Sequence, residues 1–130
     1  MRIVPVTAFA LCLAGCGAAT APAETQSGAV TVFRSDLESA DGFEVIVQDV
    51  RFAANASLPR HFHPGEEYIY VVEGEVTHIE DGADNKTYGA GDALRIPVGK
   101  VHAAQTGGQP ARAIIFRVHR KGESERTVVE

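Results

Sequence analysis

Apolar residues along this chain recur in short runs with partial two-residue alternation, and no long segment carries the helical 3.6-residue period. Phe43–Phe52 is rich in β-branched residues and reads as a strand. Shorter strand-like runs follow at 76–79, Ala93–Ile96, 101–105 and 113–119. Between them stand turn signals: Asp81-Gly82, Gly89-Ala90-Gly91-Asp92, Pro97-Val98-Gly99 and Gly107-Gly108-Gln109-Pro110. Short strands at regular spacing with this punctuation predict an all-β sandwich or barrel. In the last strand Ile114, Phe116 and Val118 share one face and Ile115, Arg117 and His119 the other, which places His119 on the surface.

The stretch 61–74, His-Phe-His-Pro-Gly-Glu-Glu-Tyr-Ile-Tyr-Val-Val-Glu-Gly, breaks the ordinary pattern by putting polar groups at inward positions. Residues two apart on a strand point to one face, so His61 and His63 can aim both imidazoles at one point. Glu67 shares their parity, although Pro64-Gly65 must bend the backbone on the way. His102, just after the Pro97-Val98-Gly99 turn, adds an imidazole from a separate part of the sheet. Three histidines and a glutamate form an N3O set suited to Mn, Fe, Co, Ni, Cu or Zn. Four such ligands close a tetrahedral site but leave two positions open on an octahedral metal.

By the same parity Tyr68, Tyr70 and Arg95 face outward, while Ile69, Val71, Leu94 and Ile96 line the interior. His78 shares its parity with Val76 and has two readings. It faces the cavity and handles a substrate or a proton, or it is a hydrogen-bonded histidine of the interior or surface.

With 130 residues the chain has room for one domain and a single core. The net charge of -5 comes without any Lys/Arg cluster, which argues against a nucleic-acid partner. Function is therefore sought in a site. A small molecule is the expected partner.

The N-terminus follows a different pattern. Met1-Arg2 precedes an apolar run over 3–13 that is too short to span a membrane and fits the core of a signal peptide. It ends in Leu13-Ala14-Gly15-Cys16, which resembles the lipobox of bacterial lipoproteins. That resemblance implies removal of 1–15 and acylation of Cys16 as the first mature residue. The product would be a lipid-anchored protein of the bacterial envelope, facing the periplasm or the exterior. Ordinary secretion is the second reading, with Ala21-Pro22-Ala23 as the cleavage site. Under the lipoprotein reading Cys12 leaves with the leader and Cys16 carries lipid, so no intrachain disulfide forms. Loss of Arg2 makes the mature chain one unit more acidic. The expected organisation is a signal peptide at 1–15, a tether at 16–29, the folded domain at 30–120 and a charged, peripheral tail at 121–130.

In the domain the chain closely resembles the cupin superfamily. The first cupin motif, G-x5-H-x-H-x3-E-x6-G, is matched by His61, His63, Glu67 and Gly74. The second, G-x5-P-x-G-x2-H-x3-N, is matched by Gly91, Pro97, Gly99 and His102. Asn55 stands for the leading glycine, a position where positive φ is tolerated by both residues. Thr106 stands for the final asparagine, which is expected to weaken a structural position.

The resemblance implies a jelly roll, or double-stranded β-helix, with one divalent metal per chain inside the barrel, and frequently a homodimer. Some cupin lyases place a cavity tyrosine two residues after the glutamate, and Ile69 at that position argues against their mechanism. Two functions are carried forward. One is a metal-dependent enzyme of the quercetin-dioxygenase type acting on a small organic substrate, with Glu67 able to shift toward acid/base work. The other is a non-catalytic envelope module that binds a metal, sugar or small acid.

Overall fold

The alternating runs become strands, and the Gly/Pro clusters become the corners between them. The computed structural model describes residues 26–130, so the expected leader and Cys16 lie outside the described residues. In chain order the strands are β1 (Gly28–Asp36), β2 (Phe43–Phe52), β3 (His61–Phe62), β4 (Glu66–Glu73) and β5 (Glu75–Glu80). They continue with β6 (Lys86–Gly89), β7 (Ala93–Ile96), β8 (His102–Gln105), β9 (Ala111–Arg120) and β10 (Thr127–Val128). No helix occurs among the described residues.

Two antiparallel sheets face each other, ordered β1-β2-β9-β4-β7 and β10-β3-β8-β5-β6. Consecutive segments cross between them, which is the double-stranded β-helix. The Pro64-Gly65 bend carries out one such crossing: β3 belongs to one sheet and β4 to the other. Gly65 is required there, because a Cβ would stand 2.1 Å from the Val118 carbonyl oxygen and 2.5 Å from the His119 Cβ.

The core sits toward one end of the barrel. Val50, Phe52, Ala111, Ala113 and Ile115 from β2 and β9 pack with Val76 of β5, supported by Leu58, Ile69 and Ala104. Tyr68, Tyr70 and Arg95 are outside, and Ile96 is buried, as alternation predicts.

Three expectations change. His119 is not on the surface: it is 1% exposed, and Ala113, Ile115, Arg117 and His119 form the inward face of β9 while Phe116 is exposed. The parity is correct, but the inward face is the one carrying the charged residues. The tail after Lys121 is not peripheral, because β10 pairs with β3 through Thr127↔Phe62 and Val128↔His61. Charged composition misleads there, since the backbone of the segment completes a sheet edge.

The third concerns the Asn55–Thr106 contact region. Thr106 is buried, donates its hydroxyl to the Ala53 carbonyl at 2.6 Å and accepts from the Ala56 N–H at 3.0 Å. The position is well tied. Asn55 takes the left-handed conformation, φ 56°, and donates its N–H to Gly107 at 2.7 Å.

Candidate metal centre

His61 on β3, His63 just after it and His102 on β8 stand together because His61 and His102 are direct partners across the β3–β8 pair. All three are buried, and one nitrogen from each lies within 4.8 Å of the other two. Each ring is turned by a backbone carbonyl. The Nδ1–H of His61 donates to Pro59 at 2.8 Å, that of His102 to Lys100 at 2.9 Å, and that of His63 to Glu125 at 2.5 Å. A carbonyl oxygen only accepts, so Nδ1 carries a proton in each ring, and in a neutral ring Nε2 is the lone-pair donor. Burial pulls the His61 pKa below its usual value and that of His102 to about 4, so both rings are neutral and able to ligate at neutral pH.

Glu67 enters from β4 of the opposite sheet. Its Oε2 is 3.0 Å from His63 Nε2 and its Oε1 is 3.9 Å from His102 Nε2. The structure thus gathers all four predicted ligands, the histidines as a tight triad and Glu67 against two of them. Burial pushes the Glu67 carboxyl up, but its contacts with His63 and Arg117 prevail and hold it at about 2. It is ionised.

These facts test whether a metal fits. His63 Nε2 is buried without a hydrogen-bond partner and faces the Glu67 carboxylate. With Nδ1 already donating to Glu125, Nε2 faces the anionic oxygen at 3.0 Å, so a proton or a cation must lie between them. Three neutral nitrogens and one carboxylate are a donor set for a divalent transition metal. The residues fit.

Sequence reasoning misses the groups that hold Glu67. Arg117, across from it on β9, donates Nε–H to Oε2 at 2.5 Å. Its Nη1 donates to Gln48 at 2.8 Å and to the Glu125 carboxylate at 3.4 Å. Further along, His119 Nε2 meets Glu44 at 3.0 Å, and Arg34 bonds Glu125. The available signal is the shared parity of Ile115, Arg117 and His119, set against an all-apolar alternative on the other face.

Beside the centre lies a cavity of about 380 Å³. Val50, Phe52, Leu58, Ile69, Val76, Leu94 and Ile115 wall it, and His61, Glu67, His102 and Arg117 close its polar side. His78 lines it too, with its ring centroid 5.7 Å from that of His102 and its Nε2 3.4 Å from Glu80. His78 therefore faces the cavity and is hydrogen-bonded at once. Tyr88 and Arg126, not singled out from the sequence, also reach the wall.

A family model described as a cupin domain matches residues 48–117, more than half of the chain. The chain belongs to the cupin family. Among curated proteins it is similar to dimethylsulfoniopropionate lyase DddQ of Ruegeria pomeroyi, 32% identical over 67 residues, covering 52% of this chain and 33% of that one. It spans about a third of that relative's length.

The crystal structure of the same lyase superposes with a TM-score of 0.65 at 22% identity, over 79% of this chain and 51% of that one. A cupin-like protein from Thermotoga maritima gives a TM-score of 0.65 at 20% identity, covering 81% and 77% of the two chains. The polyketide cyclase RemF of Streptomyces resistomycificus gives 0.53 at 27% identity, covering 83% and 87%.

Proposed function

We propose that this chain is a mononuclear metal-dependent cupin enzyme acting on a small organic substrate with a largely apolar body. The observation that carries the reading is the close contact of buried His63 Nε2 with the Glu67 carboxylate beside a mostly aliphatic cavity. His61, His63 and His102 would hold the metal through Nε2, and Glu67 through a carboxylate oxygen. A bound metal supplies Lewis acidity or, where it is redox-active, oxygen chemistry. The chain's own residues do the rest. The aliphatic wall excludes water and holds the substrate's apolar part. Arg117 fixes the Glu67 carboxylate and keeps it ionised. His78 and Tyr88 stand where they can hold or move a proton.

Oxygen-dependent, dioxygenase-like turnover is the first reading, because the wall around the candidate metal site is largely aliphatic. An elimination is the second, favoured by the sequence similarity to DddQ and by Tyr88, which offers a phenol at a position other than 69.

The test loads purified protein with Fe²⁺, Mn²⁺ or Zn²⁺ and offers phenolic, thiol, dicarbonyl and sulfonium-acid compounds with and without air. Oxygen uptake tied to product supports the first reading, and anaerobic product release supports the second. Either activity should vanish in His61→Ala. A recovered ligand that binds tightly and is never converted would instead establish a non-catalytic binding module.

We also propose that the mature protein begins at Cys16 and is held on an envelope membrane by lipid there, on the strength of the 3–13 run and Leu13-Ala14-Gly15-Cys16. Mass spectrometry of the N-terminal peptide decides this, and an unmodified N-terminus at Glu24 would sink it. A homodimer belongs to the same reading, since edge strand β1 leaves Val30, Val32 and Phe33 exposed. A monomer in sedimentation at micromolar concentration would remove it.

A further inference from the structure

The three histidines are not supported alike. His61 and His102 each donate Nδ1–H to a carbonyl two residues earlier, just ahead of their own strands, Pro59 and Lys100. Those acceptors move with the ligands they orient. The acceptor for His63 is the carbonyl of Glu125, 62 residues later in the chain. With that segment in place His63 is 2% exposed.

Glu125 also acts through its side chain. Its carboxylate meets Arg117 at 3.4 Å and Gln48 at 3.3 Å, and Arg117 in turn holds Glu67. One residue of the tail therefore touches the support of a histidine and the support of the carboxylate. We propose that the C-terminal segment 124–128 is a positioning strap of the metal centre, so that metal binding and docking of the strap favour each other. The proposal rests on the reading of His61, His63, His102 and Glu67 as a metal site and adds a dependence that the ligands alone do not imply.

The strap is built to be removable. Its pairing with β3 spans two residues, helped by the Val129 N–H donating to the Arg60 carbonyl at 2.9 Å. Ser124, Arg126, Thr127 and Val128 are exposed. Such a short, exposed edge pairing opens at a small fraction of the global unfolding free energy. When it opens, His63 loses the bond that selects its Nε2 donor form, and Arg117 loses one of its acceptors. Losing an outer partner of a metal-bound histidine typically weakens metal affinity by ~10–100-fold. Linkage requires the converse by the same factor: bound metal must favour the docked strap.

The experiment uses Zn²⁺ alone as the probe. Zinc affinity by chelator competition is compared for the full chain, a chain ending at Glu123, and Val129→Pro, which removes the N–H given to Arg60. In parallel, tryptic cleavage after Arg126 is timed on the full chain with and without zinc, a readout independent of turnover. The expected results are zinc binding ~10–100-fold weaker in the shortened chain, an intermediate loss in Val129→Pro, and slower cleavage at Arg126 when zinc is bound.

Equal affinity in the full and shortened chains, or cleavage unaffected by zinc, overturns the strap. Should the shortened chain fail to fold by circular dichroism, Val129→Pro and the cleavage rates decide by the same criteria. A full chain that takes up no zinc overturns the metal reading itself and the strap with it. A full chain that binds one zinc as tightly as the shortened chain overturns the strap alone.

Discussion

The two ends of the barrel are built on the same strands and the same parity, yet they are held together differently. At one end β2 and β9 contribute Val50, Phe52, Ala111, Ala113 and Ile115 to an apolar core. At the other end the same inward rows present Glu44, Gln48, Arg117 and His119 around Ile46, joined by Glu67 from β4. Burial does not distinguish them, since Ala113 is 0% and His119 1% exposed. The difference lies in what burial does. Apolar burial is favourable residue by residue, in rough proportion to area. Polar burial is unfavourable for each group alone and becomes tolerable only when the partners are in place. One end is a sum of side chains. The other is a set of pairs.

That contrast is most sharply broken at Arg117. Arg117→Ala leaves Glu67 ionised, buried and without its guanidinium, and should destabilise the metal-free protein by about 3–5 kcal/mol in urea unfolding. A bound divalent cation gives Glu67 another partner, so the loss should shrink when the protein is loaded with metal. An equal loss in both forms would mean that Glu67 and the metal do not meet.

A smaller effect is expected at the apolar end. Ile115→Val removes one methylene from the core and should cost about 0.5–1.5 kcal/mol, with metal affinity unchanged. A change in affinity there would show that the two ends are mechanically coupled.

The smallest effect belongs to the outward face. Asp49 accepts two bonds from Arg112, at 2.9 and 2.7 Å, and Asp49→Asn should cost about 0.2–1 kcal/mol. The Arg112 guanidinium holds the Asp49 carboxyl below its usual value of 3.8. The pair's contribution is therefore complete above that value and is lost as pH falls through the lower folded pKa. The gap between wild type and variant should close in acid. A gap that persists once the Asp49 carboxyl is protonated would assign it to packing.

Much of the fold is legible in the order of residues alone. Phe43–Phe52 and Ala93–Ile96 are strands with the bounds read from their alternation, and the candidate ligands His61, His63, Glu67 and His102 are marked by polar groups at inward parity. What escapes is the assignment of faces on β9. Hydrophobicity favours Ile114, Phe116 and Val118 for the interior, and the true interior row carries Arg117 and His119. Their partners Glu67, Gln48 and Glu44 lie 50, 69 and 75 residues away, so no local pattern can announce them. The tail escapes for the same reason, because its role is carried by a backbone carbonyl that every residue possesses.

By itself, then, the sequence determined the periods, the corners and the ligand types, since alternation, turn chemistry and donor atoms are properties of neighbouring residues. Only the tertiary structure decided which face of β9 turns inward, what holds Glu67, and that the chain's last segment reaches His63. Those outcomes depend on charges and carbonyls meeting across the barrel, and such meetings exist only once the two sheets have closed.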